Sequence, residues 1–461
     1  MVEAMANSVE DYLIDGLSFK LSKGASYVQS RSQATFWPSG SNVYKPTQGT
    51  RVVKIQINAD AWLDPASVRI CYDLVNIDTT AGKRLRTLGG PWTFWRRMRI
   101  TCGGNASCED IDYYNRTHEM FNALTSNASR ENDDIEGFGA RYDSVEDVHR
   151  LGVIATYTEF TLPGINPGGR QTVSFKPLSG LFSQQKYLPI RYAPITIELE
   201  LVNDKNDPII TPGANATFTA AKCSDDWQIE NVQLKCDLVT LDNGLENSYS
   251  EHLLSGKTLP INYNTYIAQS QVMNGNNTSI NVSRALSRLK SVFVTMQGNA
   301  TDFDANDVVH KDWNTFTHPM VKRAKVTLGA GDFRVYDNNY ELEYQIQIGS
   351  ILMPQYPSRS LAEAFYRLKQ CVYGASNNFH AISFSEKEYR TDKFIIGQDC
   401  ERVPDAGFTG INSKAGDLLT VRMKAVNPSV LTNADMPGLM HIVLHSDNIM
   451  ESGATGVQVF D

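Results

Sequence analysis

Apolar and polar residues alternate with a period of two through most of the chain, which predicts β-strands with one face on a core and the other in polar surroundings. Over residues 194–202, Ile195, Ile197, Leu199 and Leu201 share one face, while Thr196, Glu198 and Glu200 share the other. Val53, Ile55, Ile57 and Ala59 stand against Lys54, Gln56 and Asn58 in the same way. The pattern returns at Val68, Ile70, Tyr72 and Leu74, at Leu342, Tyr344, Ile346 and Ile348, and at Leu419, Val421, Met423 and Ala425. Turn-forming pairs punctuate these runs: Asp64-Pro65, Gly89-Gly90, Gly103-Gly104, Asn203-Asp204 and Asn427-Pro428. Many antiparallel strands joined by polar loops predict an all-β chain of sandwich type.

Only two stretches carry a helical period for more than three turns, and each follows directly on a strand. The first is expected to begin near Ser107 as N-cap, with Glu109 and Asp110 in its first turn, and to bury Ile111, Tyr114, His118, Phe121 and Leu124. The second opens on a capping box of Ser360 and Glu363, carries Leu361, Ala364, Phe365, Leu368 and Val372 as its apolar stripe, and stops at Gly374. Strand, glycine turn, helix and long loop thus recur around residues 93–124 and 342–373, an internal repeat that two copies of one domain explain.

Length supports the duplication, because 461 residues exceed the roughly 250 to 300 at which a single core stops growing. The expected division is an N-terminal arm and lead-in over residues 1–50, a first sandwich over 51–250 and a second over 251–461. The arm carries a short helical pattern at residues 8–17. The junction falls near residue 250, after Leu241-Asp242-Asn243-Gly244 breaks a strand and a short amphipathic stretch runs to Leu253 and Leu254.

Hydrophobic residues at 41% and aromatic residues at 10% supply material for two cores. A net charge of -8 argues against binding nucleic acid by phosphate neutralisation, so no sequence-specific nucleic-acid contact is expected. The first residues lack the pattern of a signal peptide and no run of about 18 apolar residues occurs, so the chain is expected to be made in the cytosol and to stay soluble. Seven cysteines without a CxxC pair read as buried free thiols, and the sequons at Asn105, Asn215 and Asn281 would matter only on a secretory route.

Several fragments approach an enzymatic motif and each lacks a required residue. Gly256-Lys257-Thr258 resembles the end of a phosphate-binding loop, but Glu251 stands where the first glycine belongs and Pro260 where the helix should start. Asp302, Asp304 and Asn306 have the spacing of a calcium loop, yet Asp307 replaces its glycine and Trp313 its glutamate. His441 and His445 share a face of a predicted strand without the glutamate and helix of a zinc site, and Cys102 and Cys108 read as separate packed thiols. No catalytic residue, cofactor or metal site is predicted.

The run from Trp92 through Phe94, Trp95, Arg96, Arg97, Met98 and Arg99 to Ile100 mixes rings with cations, as a single-stranded nucleic-acid surface would. Alternation gives a simpler account, with Phe94, Arg96 and Met98 on one face and Trp95, Arg97 and Arg99 on the other: an arginine-rich strand edge at a subunit contact. Trp95, Arg96, Arg97 and Arg99, together with Tyr187 and Arg191, are the interface candidates.

Asp64-Pro65, the segment from Phe94 to Ile100 leading through Gly103-Gly104 into residues 109–115, Gly180-Leu181-Phe182 and residues 186–192 resemble double jelly-roll major capsid proteins of eukaryotic double-stranded DNA viruses, of the polinton-like, virophage and large-algal-virus kind. Tyr344 to Gly349, Pro354, Pro357 and Ala362-Glu363 are similar to the matching element of the second half. The resemblance covers roughly residues 50–375, and its order along the chain is more specific than any single motif.

It implies two tandem eight-stranded jelly rolls, with a few short helices in loops. It further implies a homotrimer of pseudo-hexagonal outline that tiles an icosahedral shell around a double-stranded DNA genome. Its partners would be itself, neighbouring trimers, penton and minor capsid proteins and, where the virion has one, internal-membrane proteins, with no small-molecule substrate. Its place would be the virion shell, after synthesis in the host cytoplasm. The alternatives are a carbohydrate-binding or carbohydrate-active β-sandwich and another virion part, such as a spike or penton protein.

Overall fold

The computed structural model describes residues 27–47, 51–133, 135–138, 164–209, 223–273, 275, 277–297, 316–320, 322–323, 334–335, 341–373, 380–391, 393–403, 408–414, 418–426 and 438–461. The helical pattern at residues 8–17, the sequon at Asn215, the acidic run at Asp302, Asp304 and Asn306, the stop at Gly374 and the turn at Asn427-Pro428 lie outside the described residues.

The first half contains β1 (Val28–Phe36), β2 (Val43–Tyr44), β3 (Val52–Ile57), β4 (Trp62–Asn76), β5 (Trp95–Cys102), β6 (Ala106–Ile111), β7 (Arg170–Phe175), β8 (Ile195–Leu201) and β9 (Trp227–Leu241). They form two antiparallel sheets, β1-β9-β4-β7 and β3-β8-β5-β6, with β2 added beside β9. The second half contains β10 (Leu259–Met273), β11 (Asn277–Val282), β12 (Leu289–Gln297), a ribbon of β13 (Lys322–Arg323) and β14 (Arg334–Val335), β15 (Glu341–Ile348), β16 (Ile351–Ser358), β17 (Ile395–Asp399), β18 (Leu419–Val426), β19 (Gly438–Gly453) and β20 (Gly456–Phe460). Its sheets are β10-β19-β12-β17 and β11-β18-β15-β16, with β20 beside β19.

When β2, β13, β14 and β20 are set aside, each half has, among the described residues, eight strands in one order: first-eighth-third-sixth in one sheet and second-seventh-fourth-fifth in the other. That is the strand order of a jelly roll, threaded twice. Alternation is the local cause. β8 is buried at every second residue and β3 likewise, so their apolar faces close onto the opposite sheet.

The repeated unit of hairpin and helix is real, but its first copy differs from expectation. Ser107 to Ile111 is strand β6, paired with β5 across the Gly103-Gly104 turn, and the helix α1 (Tyr114–Ala123) begins later, after Tyr113 in the left-handed region. The acidic residues that imitate a first helical turn are held extended by ladder bonds to β5 across the hairpin, a strand pairing that outweighs the helix-start signal. A short helix α2 (Asn127–Asp133) follows. The stretch before residue 254 is a full helix, α3 (Asn243–Leu254), capped by Asp242, whose carboxylate accepts from the Gly244 N–H. In the second copy the helix is α4 (Leu361–Tyr373), where Ser360 Oγ accepts from the Glu363 N–H at 3.1 Å; a last helix is α5 (Glu386–Thr391).

Residues 1–50 also need correction. Residues 28–36 are not arm but β1, paired along its length with β9, and residues 43–44 form β2. Most residues of β1 are exposed, so no apolar face marked it in the sequence; backbone pairing holds it in the sheet.

Among the described residues two large apolar cores result, and each borrows from the other half. Ile261, Tyr263 and Met450 pack into the first core, while Met120, Ala123 and Leu124 of α1 pack into the second. Phe121 of α1 meets Tyr266 at 4.8 Å and Phe293 at 5.2 Å between ring centroids. Tyr263, Met450 and Met120 are buried in the opposite half's core, and each buried side chain of this size contributes about 1.5–3 kcal/mol, so the halves form one continuous body.

Candidate assembly surface

Strand β5 lies inside its sheet, between β8 and β6, and is not an edge. A bulge breaks its alternation: Trp95 faces Leu201 while Arg97 faces Glu200, leaving Arg96 as an extra residue. Trp95 and Met98 therefore both point inward, and Trp95 is fully buried with its ring edge-on to Tyr72 at 5.8 Å. As an interface candidate Trp95 is corrected to a core residue.

Arg96, Arg97 and Arg99 leave the sheet on its outer face and meet a row of carboxylates. Arg97 donates to both oxygens of Asp110, at 2.7 and 2.6 Å, and this pairing raises its pKa further above the usual arginine range. Arg96 lies 3.7 Å from Asp112 and Arg99 4.0 Å from Glu198, which Lys54 also approaches at 2.9 Å. Every member is partly exposed, so each pair is worth about 0–1 kcal/mol and the surface is near neutral rather than basic.

Arg191 closes a different contact. It pairs with Asp60 and Glu246, each at 2.8 Å, and Glu246 also accepts from Trp62 Nε1 at 3.0 Å and the Tyr192 hydroxyl at 3.1 Å. Glu246 sits in α3, so this cluster fastens the inter-domain helix to the first jelly roll. Tyr187 remains partly exposed beside Lys186, whose Nζ reaches the Pro260 carbonyl at 3.4 Å. The six candidates therefore occupy three places: one in the core, three on a sheet face and two near the junction.

Sequence reasoning missed the seam between the halves. Arg116 of α1 is buried there, donating from Nη2 to the Met296 carbonyl at 2.9 Å, with its guanidinium 5.0 Å over the Phe316 ring. Burial lowers its pKa to about 9. Glu109 is also buried and accepts from the Gly180 and Leu181 N–H groups at 2.8 and 3.2 Å; desolvation raises its pKa to about 7 against these stabilising bonds. Gly180 is required for close approach, because an added Cβ would stand 1.5 Å from the Asn264 carbonyl oxygen. No sequence signal marked Arg116, because Asp112 and Glu119 lie within helical reach of it and read as surface partners.

The near-motifs resolve into structure. Gly256-Lys257-Thr258 is the turn between α3 and β10. His441 and His445 lie on β19, His441 against Tyr113 and His445 stacked on Tyr266, and burial lowers both pKa values. Cys102 and Cys108 are not separate: they face each other across the β5–β6 hairpin, their Sγ atoms 2.7 Å apart. All seven cysteines are free, and among the described residues no group of three or more His, Cys, Asp or Glu has metal-holding geometry.

No protein-family model and no curated protein matches the sequence. Solved structures do match in fold. VP54 of the virus PBCV-1, fitted into a reconstruction of the virophage Sputnik, is 11% identical with a TM-score of 0.58, over 96% of this chain and 98% of its own. A chain of the Sputnik virophage itself gives 11% and 0.58, over 96% and 90%. The Faustovirus major capsid protein gives 10% and 0.58, over 94% and 92%. Strand order within each half and likeness along nearly the whole length agree, and the chain has the double jelly-roll fold of these viral capsid proteins.

Proposed function

We propose that this chain is a viral major capsid protein, a structural subunit rather than an enzyme. In this reading it closes into a homotrimer of pseudo-hexagonal outline and tiles an icosahedral shell around a double-stranded DNA genome. The observation that carries the reading is the exact repetition of one eight-stranded order in two joined halves, which gives a chain two like building blocks and three chains six. Ring closure by identical contacts satisfies every chain equally and leaves the rim for lattice growth.

We divide the chain at α3, so that the jelly rolls correspond to residues up to about 250 and from about 251 onward. Contacts between trimers we assign to polar surface, with Arg96, Arg97, Arg99, Tyr187 and Arg191 as candidates. Penton, minor capsid and membrane partners, and residence in the virion shell after synthesis in the host cytoplasm, belong to the same proposal.

Size-exclusion chromatography with light scattering tests it. The expected species is a stable trimer of 51.4 kDa chains, and electron microscopy of concentrated material should show hexagonal plates or shells. A monomer or pentamer would count against the reading.

A further inference from the structure

Strand β6 breaks its alternation beside the hairpin turn. Ile100 pairs with Glu109 and Thr101 with Ser107, which leaves Cys108 as an extra residue opposite β5. Cys108 and Glu109 are therefore buried in succession, and Cys108 turns into the same core as Cys102. In a ladder without the bulge, Cys108 would pair with Ile100 and stand diagonal to Cys102. Diagonal neighbours lie about 7–8 Å apart, beyond the usual backbone span of a disulfide. The bulge brings the two Sγ atoms to 2.7 Å, so a bond between them requires no change of strand pairing.

The second half closes over this pair. Met450 of β19 places its Sδ 3.7 Å from Cys108 Sγ, and the Tyr263 hydroxyl of β10 donates to the Cys108 carbonyl at 2.8 Å. Val457 of β20 lies against the turn, its Cγ2 2.6 Å from where a Cβ on Gly103 would stand. The hydrogen bond with Cys108, and then burial, hold the Cys102 thiol well above its usual range, so its reactive thiolate is scarce while the cover is in place. β20 is the weak part of that cover: it has five residues, half of them exposed, and pairs with β19 alone among the described residues. Short strands with few buried contacts open locally at little cost.

We propose that Cys102 and Cys108 are a modification site, which a low-molecular-weight disulfide such as oxidised glutathione converts into a disulfide closing the β5–β6 hairpin. The thiolate of one cysteine attacks a sulfur of the small disulfide and releases one small thiol. The other cysteine gives up its proton and displaces the second small thiol from the mixed disulfide. The chain loses two protons and two electrons, and the small disulfide takes them up as two thiols.

A reducing cytosol keeps such a pair as thiols, so the bond forms once the chain meets a more oxidising medium. Oxidation then fixes the strand that carries Arg97 to the strand that carries Asp110, and holds the turn against which Val457 packs. The bond lies under the second half, where the small thiols that would reduce it have the same restricted entry. Capsomer formation plays no part in this chemistry, so the site stands or falls apart from the assembly reading.

Thiol mapping of the full chain tests the site. Reduced protein is incubated with oxidised glutathione, then denatured, alkylated and cut with trypsin, which leaves both cysteines in one peptide of residues 100–116. That peptide should carry no alkyl group and lack two hydrogens, while the remaining five of the seven cysteines are alkylated. Refolding from urea in the same buffer is a second arm, in which no cover delays the reaction. Closure in either arm upholds the site. Seven alkylated cysteines in both arms, glutathione retained on Cys102 or Cys108, or either residue joined to another cysteine overturns it. Val457→Ala should speed closure in the folded chain about tenfold by loosening β20. An unchanged rate overturns β20 as the cover.

Discussion

Arg116 and Met296 lie in different jelly rolls, and the guanidinium of one donates to the carbonyl of the other at 2.9 Å inside the seam. Removing the cation leaves the carbonyl without that donor and opens a cavity under Phe316. Arg116→Ala is expected to destabilise the chain by roughly 2–4 kcal/mol. Urea unfolding followed by tryptophan fluorescence measures it. A change below the scatter of the method would mean that the seam does not depend on this contact.

Gly180 and Asn264 set how closely the halves approach. A methyl group at residue 180 would overlap the Asn264 carbonyl oxygen outright, and the obstacle is backbone rather than a side chain that can rotate away. Gly180→Ala is expected to cost about 3 kcal/mol or to prevent accumulation of folded protein. The same substitution should increase protease cleavage near α3, and a variant as stable as the parent would refute the packing described.

Much of this architecture was legible because it follows from alternation. β3, β8, β15 and β18 were readable residue by residue, and the duplicated hairpin and helix disclosed the two halves. What escaped depends on how strands pair. The bulge at Arg96 exists only because β8 lies alongside, so Trp95 read as surface. β1 has no apolar face because its partner supplies backbone bonds instead. Ser107, Glu109 and Asp110 imitate a helix start, and only the ladder to β5 overrules them. The seam was invisible because it is defined by what the other half covers.

Exposed ion pairs should matter little to folding and more to association. Arg97→Ala removes a two-point contact with Asp110 whose members are both partly exposed. The expected loss is below about 1 kcal/mol in urea unfolding. If this face carries contacts between capsomers, the variant should also lessen the salt dependence of shell formation, read by light scattering across an ionic-strength series. Unchanged salt dependence would remove Arg97 from the lattice contacts.

Glu109 gives the seam a pH dependence. Its folded pKa is raised to about 7 by burial, above its ordinary value of 4.5. A raised carboxyl favours the folded state at low pH: its contribution is complete below about 4.5 and fades as pH rises through 7. The span corresponds to on the order of 3 kcal/mol.

Neutral histidines oppose this slope. His445, lowered to about 3 by burial and by Lys290, contributes stability above its ordinary 6.5 that is lost as pH falls. The wild-type profile is therefore a sum of opposing terms, and comparison between variants isolates each. Glu109→Gln keeps an acceptor oxygen for the Gly180 and Leu181 N–H groups but cannot ionise. Relative to the parent, it should gain stability between pH 5 and pH 8, measured as the shift of the urea midpoint at each pH. A parallel offset at all pH values would show that Glu109 is not the titrating group.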